Sequence, residues 1–316
     1  IILFYIFTIL TDCYILRDIL SYCRYRKKAA VWSYSVSSVL FWGLVTVIAF
    51  WPAARESSSL IPLMWMIYTY FSVYVPKLLY VVFSAVGRLF RSKRKGRRVN
   101  YGVYAGIPLS LVAFILMWWG ALFTRNEIVV ENVTVVSGRL PQKFNGYRIV
   151  QFSDAHVGTW GNDTSFVSRL VDRINSLDPD LIVFTGDVVN RETSEMEPFL
   201  SVLSRLKARD GVYSVLGNHD YGDYMDWSFP SERDSNNALM RMWQRQIGWR
   251  MLNNGHTFIS RQGDSIALIG VENWGEPPFR QYGRLAEAYS GNSESACNLR
   301  DGRFKILLSH NPEHWN

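Results

Sequence analysis

Four short apolar runs each end in side chains able to hold a metal ion or move a proton. Tyr147–Phe152 leads into Ser153-Asp-Ala-His156, and Leu181–Thr185 into Gly186-Asp187. Val212–Leu216 leads into Gly217-Asn-His-Asp220, and Phe304–Leu308 into Ser309-His-Asn-Pro312. In extended backbone, residues two apart point to the same side, so Asp154 and His156 can reach one cation. Carboxylate, imidazole and amide oxygen together make borderline-hard sites, compatible with Mn, Fe, Zn or Co. Gly217 lets the chain bend sharply where its strand ends. A single Asp after a strand is ordinarily a turn or cap residue, and a single His an ordinary polar contact. Four such endings in order, all at the same end of buried strands, point to one site. Ligands bind outside the carboxyl ends of strands in sheets of this kind.

The elements that must position these residues alternate between strand and helix. Glu127–Val136 alternates and is valine-rich, which predicts a strand. Thr164–Leu177 has helical spacing, with Phe166, Val167, Leu170, Val171 and Ile174 on one face and Thr164 as its cap. Met196–Leu206 and Ala238–Leu252 predict further helices, and His256–Ser260 and Ser265–Val271 further strands. Strands alternate with helices and then become consecutive. This pattern predicts an α/β domain built on a β sandwich or one large twisted sheet. The aromatic loop Tyr221–Phe229 reads either as a lip over a membrane or substrate, or as rings packed beneath the loop.

The first 124 residues are of another kind. The chain has 316 residues and a formal charge of +7, yet 48% of it is hydrophobic, and the apolar residues crowd at the N-terminal end. Val31–Trp51 and Asn100–Phe123 are long enough to cross a bilayer at roughly 20 residues per span. Leu60–Phe90 exceeds one span and contains Pro76 and Lys77, so its second half reads as a tilted or interfacial continuation. Ile1–Leu20 is apolar at first, then carries Asp12, Arg17 and Asp18, and reads as the remainder of a cropped first span. Lys77 is expected to snorkel or mark a boundary. Basic residues collect at Arg24–Lys28 and Arg88–Arg98, whereas Pro52–Ser59 holds only Arg55 and Glu56. Lys and Arg concentrate on the cytoplasmic side. Everything after the last span is therefore expected outside the cytoplasm. Topology accounts for the basic run, so no nucleic-acid partner is expected. Cys13, Cys23 and Cys297 form neither a disulfide framework nor a metal knuckle.

The motifs Asp154-Ala-His156, Gly186-Asp187, Gly217-Asn-His-Asp220 and His310 resemble the calcineurin-like metallophosphoesterase family. Val188-Val-Asn-Arg191 and Ser309-His-Asn-Pro312 also resemble its membrane-associated bacterial branch. The resemblance runs from about Tyr147 to the end. It implies a four-layered α/β/β/α metallophosphoesterase sandwich over residues 125–316, while the apolar runs themselves predict a transmembrane domain of about four spans over residues 1–124. The resemblance also implies two divalent metal ions. Asp154 and His156 would bind the first, Asp187 would bridge the pair, and Asn218 and His310 would bind the second. His219 would sit as the catalytic residue at the leaving group, with Asp220 orienting it. The family pattern ends in a Gly-His-x-His stretch that this sequence lacks. The expectation is that the natural chain continues, and that this stretch alone is inactive or binds metal weakly.

The expected activity is that of a multi-pass protein of the inner cell membrane with an extracytoplasmic phosphohydrolase domain. The reaction would be that of a phosphodiesterase or pyrophosphatase acting through water activated by two metals, about 3.5–4 Å apart. A domain tethered to the last span points to a lipid-linked or envelope phosphate as substrate. No Gly-x-Ser-x-Gly elbow competes. One rival is a non-catalytic membrane sensor or scaffold that keeps the fold for binding. Another is a transporter, against which stands the small number of polar residues in the spans.

Overall fold

The computed structural model describes residues 2–22, 25–51, 60–90, 92–94, 97–277, 280–290 and 302–315. The chain divides into two compact units, Ile1–Ile128 and Val129–Asn316. Of the features named above, Pro52–Ser59, part of the basic run Arg88–Arg98, Cys23 and Cys297 lie outside the described residues.

Among the described residues the first unit contains four α-helices. They are α1 (Ile2–Tyr22), α2 (Lys27–Ala49), α3 (Leu60–Leu89) and α4 (Tyr101–Leu122). A small antiparallel hairpin, β1 (Ser92–Arg94) with β2 (Arg97–Val99), joins the last two. Among the described residues, α2, α3 and α4 are long and apolar enough to cross a membrane. The 21-residue α1 has the length, but Asp12, Arg17 and Asp18 interrupt its apolar run. α3 is one continuous helix through Pro76, and the Pro76 carbonyl accepts a hydrogen bond from Ser110 of α4 at 2.8 Å. Gly102 and Gly106 let α3 and α4 touch. A Cβ at Gly102 would fall 1.9 Å from the Phe83 carbonyl oxygen, the close approach that small residues four apart permit between membrane helices.

The two carboxylates of α1 are neutralised from α3. Asp12 accepts hydrogen bonds from Tyr34 (2.7 Å) and Trp42 (3.0 Å) of α2, and from Tyr74 (2.8 Å) and Lys77 (2.8 Å) of α3. Asp18 accepts from Tyr80 and Ser84 and pairs with Arg88. Lys77 therefore does not snorkel, as its sequence position suggested. Its ammonium lies 4.3 Å from the Tyr74 ring centroid and 2.8 Å from Asp12, because a buried carboxylate needs a partner of opposite charge.

The second unit has four layers. A parallel sheet runs in the order β3 (Ile149–Phe152), β4 (Leu181–Phe184), β5 (Val212–Ser214), β6 (Trp249–Met251). A second sheet pairs β7 (Gly255–Arg261) antiparallel with β8 (Asp264–Gly270), and β8 parallel with β9 (Lys305–Leu308). The period-two alternation of strand side chains divides the core. Ile182, Phe184, Val212 and Trp249 face α5 (Ser165–Ser176) and α7 (Pro230–Gln246). Leu181, Val183, Tyr213 and Val215 pack instead against Ile259, Ile266, Leu268 and Leu308 of the second sheet. The outer face of that sheet, Ala267 and Ile269, meets Ala288 of α8 (Leu285–Ser290).

Three local expectations are corrected. Glu127–Val136 is not a strand. No ladder partner pairs with it among the described residues, and Val133 and Val136 are exposed despite their β propensity. Met196–Leu206 is a 3-10 segment, Thr193–Phe199, followed by the single turn α6 (Leu200–Leu203), since Pro198 has no amide hydrogen to give. The helix expected at Ala238–Leu252 starts earlier, at Pro230, where proline suits the first helical position. It stops before Gly248, whose φ of 84° no helix continues, and Trp249–Met251 joins the sheet as β6.

Candidate metal centre

The sequence-predicted site residues lie in loops at the carboxyl ends of β3, β4, β5 and β9. The β3 and β4 loops interlock by backbone. Asp154 N donates to Gly186 O (2.9 Å), His156 N to Asp187 O (3.2 Å) and Val157 N to Val188 O (2.9 Å). Asp154, His156 and Asp187 all hold left-handed backbone, with φ of 54°, 39° and 63°. Strained non-glycine residues clustered in this way persist only where the surroundings over-determine them, and they concentrate at functional sites. Glycine is required beside them. A Cβ at Gly217 would fall 2.1 Å from Asp187 Oδ1, and one at Gly186 would fall 2.4 Å from Gly217 N.

Each imidazole is turned the same way. His156 Nδ1 faces the Val189 carbonyl oxygen (3.1 Å), His219 Nδ1 that of Asn190 (2.5 Å) and His310 Nδ1 that of Thr185 (2.9 Å). A carbonyl can only accept, so Nδ1 carries a proton in all three rings, and Nε2 is the atom that can bind a cation or take a second proton. The three Nε2 atoms then converge on one oxygen. Asp187 Oδ2 is 3.3 Å from His310, 3.7 Å from His156 and 4.0 Å from His219. Asp154 Oδ1 lies 3.7 Å from His156 Nε2, and Asn218 Oδ1 lies 3.1 Å from His310 Nε2. Two overlapping groups result, His156–Asp187–His219 and Asp154–Asp187–His310, with ligand atoms within 4.8 Å of one another. Asp187 belongs to both.

Lone pairs held this close repel unless a cation or a proton lies among them. Without a cation, a proton does so. Burial disfavours a charged His310, but the Asp187 carboxylate outweighs it and raises the imidazole to about 9. Burial likewise disfavours an ionised Asp187, yet its bond to His310 and the His219 amide hold it below the ordinary carboxylate value. A set of imidazole, carboxylate and amide donors, each Nδ1 anchored on a carbonyl, fits a divalent cation.

Asp220 does not orient His219. It is buried, and its carboxylate accepts from the backbone amides of Asp187 (2.8 Å), Val188 (2.8 Å), Val189 (3.3 Å) and Gly217 (3.0 Å). It shapes the β4 loop from beneath. Burial, and then the nearby Asp187 charge, push it up to about 7. The aromatic loop divides between the two readings made of it. Tyr221 stacks on Tyr282 at 3.9 Å and Trp227 donates to the Gly222 carbonyl, whereas Phe229 is exposed.

Two further contributors carry no individual mark in the sequence. Glu195 accepts from the amides of Asn190 (2.5 Å) and Arg191 (3.1 Å), and so fixes the loop whose Asn190 carbonyl anchors His219. In sequence it was one acidic residue near a predicted helix start. Tyr224 places its ring 4.4 Å from the His219 imidazole and its hydroxyl 2.8 Å from Asn218 Nδ2. In sequence it was one ring of the aromatic loop Tyr221–Phe229.

Two family models match the chain. One described as "Probable Calcineurin-like phosphoesterase, transmembrane domain" matches residues 1–125, and one described as "Calcineurin-like phosphoesterase" matches residues 147–316. The chain is 28% identical over 254 residues to a transmembrane protein with metallophosphoesterase domain from Danio rerio, covering 76% of this chain and 53% of that one. It is 30% identical over 185 residues to the uncharacterized metallophosphoesterase YkuE of Bacillus subtilis, covering 57% and 56%. It is 37% identical over 131 residues to the UDP-2,3-diacylglucosamine pyrophosphatase LpxG of Chlamydia trachomatis, covering 40% and 39%. The matches thus span between 39% and 56% of these relatives' own lengths.

Proposed function

The chain belongs to the calcineurin-like phosphoesterase family, and from that premise we propose a two-metal phosphodiesterase or pyrophosphatase that acts on a lipid-linked phosphate at a membrane. Family membership makes it a hydrolase, and the matched transmembrane domain makes it a membrane protein. The observation that carries the dinuclear reading is the convergence of three Nε2 atoms on one oxygen of Asp187, with Asp154 and Asn218 beside them.

In this reading Asp154 and His156 would hold one cation and Asn218 and His310 the other, with the Asp187 carboxylate shared between them. Bound divalent cations would supply water activation and charge neutralisation at the phosphoryl group. The protein's own part is to hold these atoms in place before substrate arrives. His219 would act at the leaving group. With Nδ1–H fixed on the Asn190 carbonyl, its imidazolium form presents Nε2–H to the departing oxygen. Manganese, iron, zinc and cobalt all suit the donor set.

The substrate class rests on two supports. The catalytic domain, from residue 125 onward, follows directly on α4 in the chain. A relative that shares 37% identity over 131 residues is named for cleaving a pyrophosphate on a diacylated sugar nucleotide. The basic segments Arg24–Lys28 and Arg88–Arg98 favour the cytoplasmic side, which supports an extracytoplasmic domain on an inner membrane.

The test is hydrolysis by the full-length protein in detergent with manganese. Substrates would be a phosphomonoester, a soluble phosphodiester and a lipid-linked pyrophosphate. Cleavage of the last, lost with chelator and in Asp187→Ala, is the expected result. Cleavage of soluble nucleotides alone would remove the lipid-linked substrate, and no cleavage by metal-loaded protein would favour a binding role.

A further inference from the structure

The Asn218 side chain has two chemically opposite ends, and only its oxygen can serve a cation. Its Nδ2 donates to the Tyr224 hydroxyl at 2.8 Å, while its Oδ1 faces His310 Nε2 at 3.1 Å and so looks toward Asp187. An amide turned over would present two N–H groups to the cation and a lone pair to Tyr224. We propose that Tyr224 is a positioning residue: its hydroxyl accepts the Asn218 amide hydrogen and thereby holds the amide oxygen toward the metal site. This inference rests on the reading of Asn218 as a metal ligand.

Three contacts fix Tyr224 for this role. Its ring lies 4.4 Å from the His219 imidazole at an interplanar angle of 33°. Its carbonyl accepts from Arg191 Nε (3.3 Å) and Nη2 (3.2 Å), which ties its loop to the loop after β4. Asn218 in turn belongs to the 3-10 turn Asn218–Tyr221, whose start is held by Asp220. The tyrosine is 39% exposed, so it fills no core, and removing its hydroxyl opens no cavity. Outer-shell partners of this kind tune metal affinity through the ligand they orient.

The experiment is calorimetric titration of manganese into the full-length protein in detergent. Five forms are compared: wild type, Tyr224→Phe, Asn218→Ala, Asn218→Asp and the double variant Tyr224→Phe/Asn218→Asp. Melting temperatures are recorded alongside. Tyr224→Phe is expected to lose about fivefold in affinity at one of two equivalents, the worth of one hydrogen bond, with the other equivalent unchanged. In the Asn218→Asp background the same change is expected to cost nothing. A carboxylate offers two equivalent oxygens and needs no orienting. Wild-type binding by Tyr224→Phe, while Asn218→Ala loses an equivalent, overturns the proposal. So does an equal loss in both backgrounds, which marks a general structural effect. Wild-type binding by Asn218→Ala overturns the ligand reading beneath it, and the two failures are thus distinct.

Discussion

Asp187 and His310 meet 3.3 Å apart, Oδ2 to Nε2, although they come from loops on different sheets. β4 in the parallel sheet delivers the carboxylate and β9 in the mixed sheet delivers the imidazole. The inter-sheet core of Leu181, Val183, Ile266, Leu268 and Leu308 sets their separation. Packing far from any reactive atom therefore fixes the geometry of the centre.

Asp187→Asn is expected to lower activity by on the order of a thousandfold, the several kcal/mol that metal charge stabilisation supplies. It removes the charge that both candidate groups share while keeping the size of the side chain. Metal content measured by emission spectrometry should fall with activity. Full metal content together with full activity would remove Asp187 from its bridging place.

The Asp187–His310 pair makes the stability of metal-free protein depend on pH. His310 is raised from 6.5 to about 9, so the folded state holds that proton more tightly than the unfolded chain. The stabilisation is complete below pH 6.5 and is lost as pH rises through 9. Asp187 is lowered from 3.8, so its share is present above that value and is lost as pH falls through its folded value. Thermal melts of chelator-treated protein should decline between pH 6.5 and 9, and His310→Asn should flatten that decline. Added manganese should oppose it, because the cation binds the neutral imidazole. A flat profile in the chelated wild type would show that the pair is not formed.

Asp220→Ala is expected to destabilise the catalytic unit by roughly 3 kcal/mol or more. It leaves buried backbone amides at Asp187, Val188 and Gly217 without an acceptor. Asp220→Asn should cost less, since one oxygen remains to accept. Denaturant midpoints of the three proteins check the order. Equal stability of wild type and Asp220→Ala would mean that water satisfies those amides.

Within the helical unit, Asp12→Ala should cost about 3–5 kcal/mol because it strands the Lys77 ammonium. The double replacement Asp12→Leu with Lys77→Met should recover much of that loss. Thermal aggregation in detergent reads both. A double variant no better than the single would show that Asp12 acts mainly through Tyr34, Trp42 and Tyr74, rather than through charge.

The sequence by itself determined the ingredients. Apolar runs at strand length, each closed by Asp154, His156, Asp187, Asn218, His219 or His310, marked the candidate site residues and the edge on which they lie. Runs of more than 20 apolar residues marked the membrane helices. Both signals are local, because burial acts on neighbouring side chains at a fixed period. Tertiary structure alone decided the partners. Asp220 faces backbone amides of the β4 loop rather than the adjacent His219. Lys77 finds Asp12 across the bundle. Trp249–Met251 leaves a helical pattern because β5 offers it a sheet edge. Glu127–Val136 shows the converse, a strand pattern with no ladder partner among the described residues. Hydrogen bonds and ion pairs between segments distant in the chain carry no periodic mark in sequence. They exist only once packing has brought the donor and the acceptor together.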